Sequence, residues 1–349
     1  MNADRLQEIV RRFRECRVAV LGDFFLDKYL DTDPRLAEIS VETGKTAHQV
    51  VSIRISPGAA GTIVINLAAL CAGEIHTLGI SGDDGEGYDL RKALLGLGCR
   101  TEGLLIMPGR FTATYLKPRD CRTADLSGEH ERYDTKNRTP TPREAQDRIV
   151  GHLESLLPDL DAVAIQDQVE EEDCGVITAR VRERLSELGR LHPKKIFWAD
   201  SRSQIGLFRD VMIKVNSREA VKQAFRPGAE EPDDAAVRRA LAELRARTGR
   251  PVFITAGRRG MWTSDPVPVL VRGVRVPEPT DPTGAGDSAT AGAVLALCAG
   301  ATPAEAALVA NLVASITVQQ LATTGTASPD ELVPRLEMWL AQGEKEDPR

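Results

Sequence analysis

The sequence predicts an α/β fold, a mainly parallel sheet with helices on both faces and a small, separate β lid. Three observations carry this. Short apolar, β-rich runs alternate with helix-length segments over most of the chain, the pattern of a parallel sheet covered on both sides. Two polar strand-like regions, about 29–56 and 110–135, break that alternation and are assigned together to the lid. The 349 residues suit one large domain of this class, 1–349, with no internal repeat or low-complexity segment to divide it.

The elements follow in order. Residues 1–17 read as a charged helix, not a secretory leader. RVAVL, residues 17–21, is a buried strand ending at Gly22-Asp23. The lid region 29–56 is rich in Thr, Val and Ser and ends in the alternating run HQVVSIRIS, the pattern of edge strands. Next come a small-residue helix over 59–72, a strand at 75–80, a helix over 85–97 and a strand at 103–106. Residues 111–117 and 129–134 are exposed strands that complete the lid. Thr141 is placed to cap a helix running to 157, with Pro142 in its first turn. Strands are expected at 162–165, 195–199, 211–215 and 252–255, and helices over 174–191, 219–225 and 233–247. The run GMWTSDPVPVLVRGVRV reads as a hairpin. Helices from about Ala285 and Pro303 close the domain, and the tail from 342 is expected to fray.

Composition narrows the partners. Hydrophobic content of 42% and charged content of 28% are ordinary for a globular chain. The net charge is −6 and the basic residues form no long tract, which argues against nucleic acid or an anionic membrane as the main partner. A local basic pocket for a phosphorylated ligand remains open. The six cysteines form no C-x-x-C pair and read as free thiols of a reducing cytoplasm. The five histidines lack zinc-ligand spacing. No apolar run reaches the roughly 20 residues of a membrane span.

The most informative stretch is DPTGAGDSATAGAVLALCAG, Asp281 to Gly300. Pro282 stops preceding structure, and Gly284 and Gly286 allow close backbone approach before a helix begins. The first amides of a helix lack intrahelical acceptors and carry partial positive charge, so this start is an anion site, best matched to phosphate. Asp287 would repel such a ligand unless it has another task. The useful one is accepting the proton of an attacking hydroxyl during phosphoryl transfer. The alternative is a first-turn acid favoured by the helix dipole. The segment is not a Walker loop, because G-x-x-x-x-G-K-[ST] does not occur.

From about Val18 to Leu332 the chain resembles the ribokinase (PfkB) family of carbohydrate kinases. DPTGAGD at 281–287 is similar to that family's second signature, usually DTTGAGD. GDFFLDKY at 22–29, SPGAAGTIVINLAALCAG at 56–73, GISGDDGEG at 79–87, KVNSREA at 214–220, VFITAGRRG at 252–260 and the helix ALVANLVAS follow in the family's order. The G-D-x-x-L-D-x-Y start and the R-x-D of Arg132–Asp134 are nearest to the heptose-7-phosphate kinase-like subgroup. The resemblance implies a ribokinase-like three-layer αβα sandwich and an ATP- and magnesium-dependent sugar or sugar-phosphate kinase. In that reading Asp287 is the general base, and the amides of Gly284, Ala285 and Gly286 form the anion hole. Asn216 and Glu219 organise Mg²⁺ through water, although N-x-x-E is also the spacing of a helix-capping pair. Thr255, Gly257, Gly260 and Asn311 face the nucleotide, Asn311 having backbone capping as its alternative. Asp23, Asp27, Gly58, Thr62, Asn66 and Arg132 face the acceptor, with loop caps or lid ion pairs as the alternative for the two acids. Asp281 and Thr283 match residues that hold a monovalent cation such as K⁺ in relatives, or simple turn chemistry. Relatives commonly pair their lids, which implies a homodimer.

Departures from the family pattern gather on the acceptor side. Gly-Gly is Gly58-Ala59, the usual Asn is Thr62, and T-x-T-K is Thr112-Ala113-Thr114-Tyr115. S-D-Y becomes Gln166-Asp167-Gln168, and D-P-K becomes Asp200-Ser201-Arg202. The expectation is retained chemistry with a changed acceptor. Arg119, Arg132 and Arg202 are candidates for a substrate phosphate. A non-catalytic sugar- or nucleotide-binding regulator on the same fold is the competing reading. A nicotinamide-dependent oxidoreductase is disfavoured, because the first strand ends in GDFFLD and not G-x-G-x-x-G.

Overall fold

The computed structural model describes residues 1–123, 126–225, 232–321 and 323–344. The strands are β1 (Arg17–Gly22), β2 (Phe24–Thr32), β3 (Glu38–Ile39), β4 (Thr46–Ala47), β5 (Val50–Ala59), β6 (Glu74–Gly82), β7 (Arg100–Met107) and β8 (Thr114–Asp120). They continue as β9 (Tyr133–Thr135), β10 (Ala162–Asp167), β11 (Ile196–Ser201), β12 (Met212–Asn216), β13 (Val252–Thr255), β14 (Gly260–Thr263) and β15 (Val269–Arg272). The helices are α1 (Ala3–Arg11), α2 (Ala60–Ala69), α3 (Gly85–Gly96), α4 (Arg143–Leu156) and α5 (Ala179–Leu191). After them come α6 (Ser217–Phe225), α7 (Asp234–Thr248), α8 (Ala285–Cys298), α9 (Pro303–Thr317) and α10 (Pro329–Glu344).

The main sheet runs β15-β14-β13-β12-β11-β10-β1-β6-β7. It is parallel from β7 to β13, and the antiparallel hairpin β14–β15 extends one edge. Side chains of β1 alternate between two cores: Val18 and Val20 pack under α1, α2, α8 and α9, while Ala19 and Leu21 pack under α4 and α5. Burial on both faces is why RVAVL reads as an unbroken apolar run. The result is the expected three-layer αβα sandwich.

The chain moves from β1 to β6 and β7 on one side, then returns to β10 on β1's other side. The crevice at such a reversal, outside the carboxyl ends of the strands, is where open α/β sheets bind ligands.

The lid is a second sheet, β5-β2-β8-β9. It starts earlier than the expected residue 29. Asp23 turns the chain out of β1, and Phe24 opens β2 directly. Phe24, Phe25 and Leu26 are buried at the lid's root. The expected strand at 111–117 is shifted to Thr114–Asp120, and that at 129–134 to Tyr133–Thr135.

Thr141 does not cap α4. Its hydroxyl donates to Gly175 O at 2.7 Å, and Pro142 occupies the cap position without a side-chain bond. The helix expected from 174 begins at Ala179, where the Thr178 hydroxyl accepts from the Val181 amide. The last helix, α10, was missed. The frayed tail expected from 342 begins inside it, and residues 345–349 lie outside the described residues.

Candidate active site

A cleft of about 390 Å³ opens between the carboxyl ends of β10–β13, the start of α8 and the inner face of the lid. Gly284 stands at the amino end of α8 with φ +74°, a left-handed conformation that favours glycine. A Cβ there would also press within 3.3 Å of the Thr62 and Thr324 methyls. This turn sorts the amides. Ala285 donates to Pro282 O at 3.1 Å and Asp287 to Gly284 O at 3.1 Å, while those of Gly284 and Gly286 meet no protein acceptor among the described residues. Of the three amides expected to form an anion hole, that of Ala285 is therefore already taken, and those of Gly284 and Gly286 are left.

Asp287 follows on the first turn of α8 and lines the cleft. Burial, reinforced by the nearby Asp200 and Asp27 carboxylates and opposed by Lys214, raises its pKa from 3.8 to about 7. A carboxylate titrating there is suited to general-base work at neutral pH. Lys214 projects from β12, where it lies directly opposite Asp200 of β11 and forms an ion pair with it. Its ammonium also donates to Gly286 O at 3.1 Å. Burial alone would lower the Lys214 pKa, but the Asp200 and Asp287 carboxylates outweigh it and the value is raised.

Asn216 and Glu219 form a reciprocal cap at the start of α6. Asn216 Oδ1 accepts from the Glu219 amide at 2.9 Å, and Glu219 Oε2 accepts from the Asn216 amide at 3.3 Å. Both residues also line the cleft, beside Thr255. Burial raises the Glu219 pKa. Among the described residues no cluster of three or more His, Cys, Asp or Glu side chains surrounds a metal position. One acid and one amide fit a magnesium ion that keeps its water, not a cation caged by protein.

On the acceptor side, Asp27 Oδ1 lies 2.8 Å from Lys117 Nζ, and both are largely buried. A Cβ on Gly58 would stand 2.6 Å from Asp27 Oδ2, so the missing side chain makes room for that carboxylate. Arg132 pairs with Asp134 and stacks 4.3 Å from the Tyr115 ring centroid. Thr62, Gln166, Gln168 and Arg202 line the same cleft. Ala59 precedes α2 with φ +52° and ψ −116°, so an L-residue sits where the resembling family has glycine.

Several expected residues lie elsewhere. Asp23 is buried, and its carboxylate accepts from the amides of Gln168 (2.8 Å), Val169 (3.1 Å) and Val176 (2.7 Å). It ties the lid hinge to the end of β10 and does not line the cleft, so its sugar-ligand assignment is replaced by loop capping. Asn66 is fully buried and donates to Thr62 O. Asn311 donates to Val271 O and Arg272 O, the backbone-capping alternative. Gly257 and Gly260 shape the turn after β13, both with positive φ, away from the cleft lining. Asp281 accepts from the Thr283 amide at 2.9 Å, as in an Asx turn, and only Thr283 reaches the cleft. Arg119 lies 3.8 Å from Asp31 and outside the cleft.

Sequence reasoning missed Lys117 and Lys214. The signal for Lys214 was one lysine inside the otherwise apolar run VMIKV, residues 211–215. Lys117 stands two residues beyond Tyr115, on the same strand face.

The pfkB family carbohydrate kinase model matches residues 18–331. The chain belongs to the pfkB family of carbohydrate kinases. Bifunctional protein HldE of Desulfatibacillum aliphaticivorans is 30% identical over 325 residues, covering 92% of this chain and 63% of that protein. HldE of Caulobacter sp. (strain K31) is 31% identical, covering 99% and 67%. The kinase thus spans a little under two thirds of the length of the first of these relatives. Its fold is similar to the ribokinase of Thermotoga maritima (TM-score 0.66, 16% identity, 92% and 99% of the two chains). It is also similar to phosphofructokinase-2 of Escherichia coli (TM-score 0.67, 16% identity, 94% and 99%). Arabidopsis thaliana ribokinase, solved with ribose and ATP, matches at TM-score 0.67 and 15% identity over 92% and 99%. These findings agree with the family and subgroup read from 281–287 and its accompanying motifs.

Proposed function

We propose that this kinase transfers the γ-phosphoryl group of ATP to a hydroxyl of a sugar or sugar phosphate bound under the lid. The observation that carries the reading is one cleft holding two amides unpaired among the described residues, Gly284 and Gly286, next to a carboxylate poised near neutrality, Asp287. Asp287 takes the acceptor's proton as its oxygen attacks. The two amides receive the charge that gathers on the transferring group, each such donor worth about 3–4 kcal/mol of barrier lowering. A hydrated magnesium ion near Asn216 and Glu219 would supply charge neutralisation of the phosphates. Closure of the lid would exclude water and limit idle hydrolysis.

Asp27 and Gly58 are assigned to acceptor hydroxyls, and Arg132 with Arg202 to an acceptor phosphate. Arg132, from the lid, and Arg202, directly after β11, both line the cleft, which supports an anionic acceptor. A K⁺ ion at Asp281 and Thr283 is a further part of the proposal. So are a cytoplasmic location and a homodimer formed through the lid. For the dimer, β5 is an edge strand with Val51 and Ile53 50% and 60% exposed. Light scattering reads the dimer directly, and a monomer at working concentration removes it.

The main test is ADP release from ATP and Mg²⁺ across a panel of sugars and sugar phosphates. Acceptor-dependent release establishes the reaction and its substrate. Silence across the panel, with ligand-dependent thermal stabilisation, would instead establish a binding regulator.

A further inference from the structure

A buried ammonium needs acceptors for three N–H donors, and an unpaired one in a protein interior is strongly disfavoured. Lys214 is only 6% exposed. Asp200 and Gly286 O take two donors. Lys214 lines the cleft, so the third donor is left for a ligand. Its position is fixed from two sides. Direct strand register sets it opposite Asp200. The start of α8 sets it against Gly286, whose absent Cβ would lie 2.9 Å from Nζ. Gly286 also carries one of the two unpaired amides. The ammonium therefore sits against the residue that carries that amide, one position before Asp287, and both line the same cleft.

We propose that Lys214 is a catalytic residue whose ammonium donates to an oxygen of the transferring phosphoryl group, and that Asp200 is its positioning residue. This rests on the phosphoryl-transfer reading above. In the step, the acceptor O–H proton passes to the Asp287 carboxylate and the acceptor oxygen bonds to the γ-phosphorus. The bond from that phosphorus to the β–γ bridging oxygen breaks, and its electron pair leaves with ADP. Lys214 keeps its proton throughout. Its charge meets the oxygens of the group in flight, while Asp200 prevents it from collapsing onto Asp287. A lysine here also explains how a cleft with Asp27, Asp200, Glu219 and Asp287 in its walls admits a polyanion. Fixed cations aimed at developing charge are among the stronger contributors to such transfers.

The test uses Lys214→Met, Lys214→Arg and the charge-balanced pair Asp200→Asn with Lys214→Met, which removes the Asp200 carboxylate together with the ammonium it pairs with; turnover is read at pH 9, where Asp287 is ionised with or without the lysine beside it. The expected result for Lys214→Met is a loss of kcat of about 10²–10³-fold with acceptor KM within threefold, partly restored in Lys214→Arg. The double variant folds and stays equally slow. Calorimetry supplies a readout without turnover. Magnesium–ADP binding should change less than fivefold in Lys214→Met, while magnesium–ADP with fluoroaluminate, a mimic of the phosphoryl group in transit, should bind at least 30-fold more weakly. Equal weakening of both complexes, or kcat within threefold of the parent in the double variant, overturns the assignment. If the parent protein turns over no acceptor, the acceptor reading fails separately, and the fluoroaluminate comparison still decides the role of Lys214.

Discussion

Asp287 gives the sharpest prediction, because it couples catalysis and stability in opposite senses. Its pKa rises from 3.8 to about 7 in the folded protein, chiefly through burial. The unfolded chain therefore releases this proton at lower pH than the folded one. A raised carboxylate penalty is absent below about pH 4, grows from there to about pH 7, and is constant above. A shift of about three units at about 1.4 kcal/mol each sets an upper limit near 4 kcal/mol. Water in the open cleft screens part of it, leaving about 1–2 kcal/mol. Asp287→Asn removes the ionisation. It should stabilise the protein by about that amount at pH 8 and by nothing at pH 4, measured by urea denaturation at both values. The same change removes the base, so transfer should fall about 10³-fold or more while nucleotide binding persists. In the parent, kcat/KM for the acceptor should rise with pH through a midpoint near 7, because only ionised Asp287 accepts the proton. Coupled ADP-release assays from pH 5.5 to 9 read this directly. A flat profile, or Asp287→Asn turning over within tenfold of the parent, would refute the base assignment. An equal stability change at pH 4 and pH 8 would refute the electrostatic account.

Four further outcomes follow from the geometry. Ala59→Gly should stabilise the fold by about 1 kcal/mol in urea denaturation, because relief of a positive-φ alanine exceeds the extra chain entropy of glycine. Asp27→Ala leaves largely buried Lys117 without its carboxylate and should cost about 3 kcal/mol of stability as well as acceptor affinity, measured by denaturation and by KM. Asp23→Ala strands three backbone amides and should lower the melting temperature markedly, whereas acceptor KM at a temperature where it is folded should change little. Gly286→Ala places a methyl 2.9 Å from the Lys214 ammonium. It should reduce kcat more than tenfold while leaving the circular dichroism melting curve close to the parent's.

What the sequence made legible was what lies close together along the chain. The whole proposed anion site is written in seven consecutive residues, 281–287, and the cap of α6 in Asn216 and Glu219, three apart. Even there the local pattern did not say which amides are free. That depends on Pro282 O turning back to accept from Ala285, a choice made by the turn. The sheet was legible because parallel strands buried on both faces must be apolar throughout, as in RVAVL. Thr141 was misread for the opposite reason: its hydroxyl is captured by Gly175, 34 positions away, before it can serve the helix that follows it.

The acceptor end is built from strand register, and register is not visible in one sequence. Asp27 and Lys117 meet because β2 pairs with β8 in parallel, with Asp27 opposite Tyr115 and Lys117 two places on. Asp200 and Lys214 meet because β11 and β12 align them directly. In each case the two side chains that meet come from different strands. Tyr115 stands where the family pattern has lysine, yet Lys117 brings an ammonium to the same cleft from the same strand face, and Arg132 stacks on the Tyr115 ring. Asp200 heads a segment that departs from D-P-K, but it anchors a lysine beside the start of α8. Lys117 and Arg132 keep the cleft charged although Tyr115 itself is not, and this supports the proposal of a site with a changed acceptor over that of a binding regulator. The fluoroaluminate comparison and the acceptor panel address the two ends of the cleft separately, so a site with intact transfer chemistry and a changed acceptor would show tight binding of the mimic even before its substrate is found.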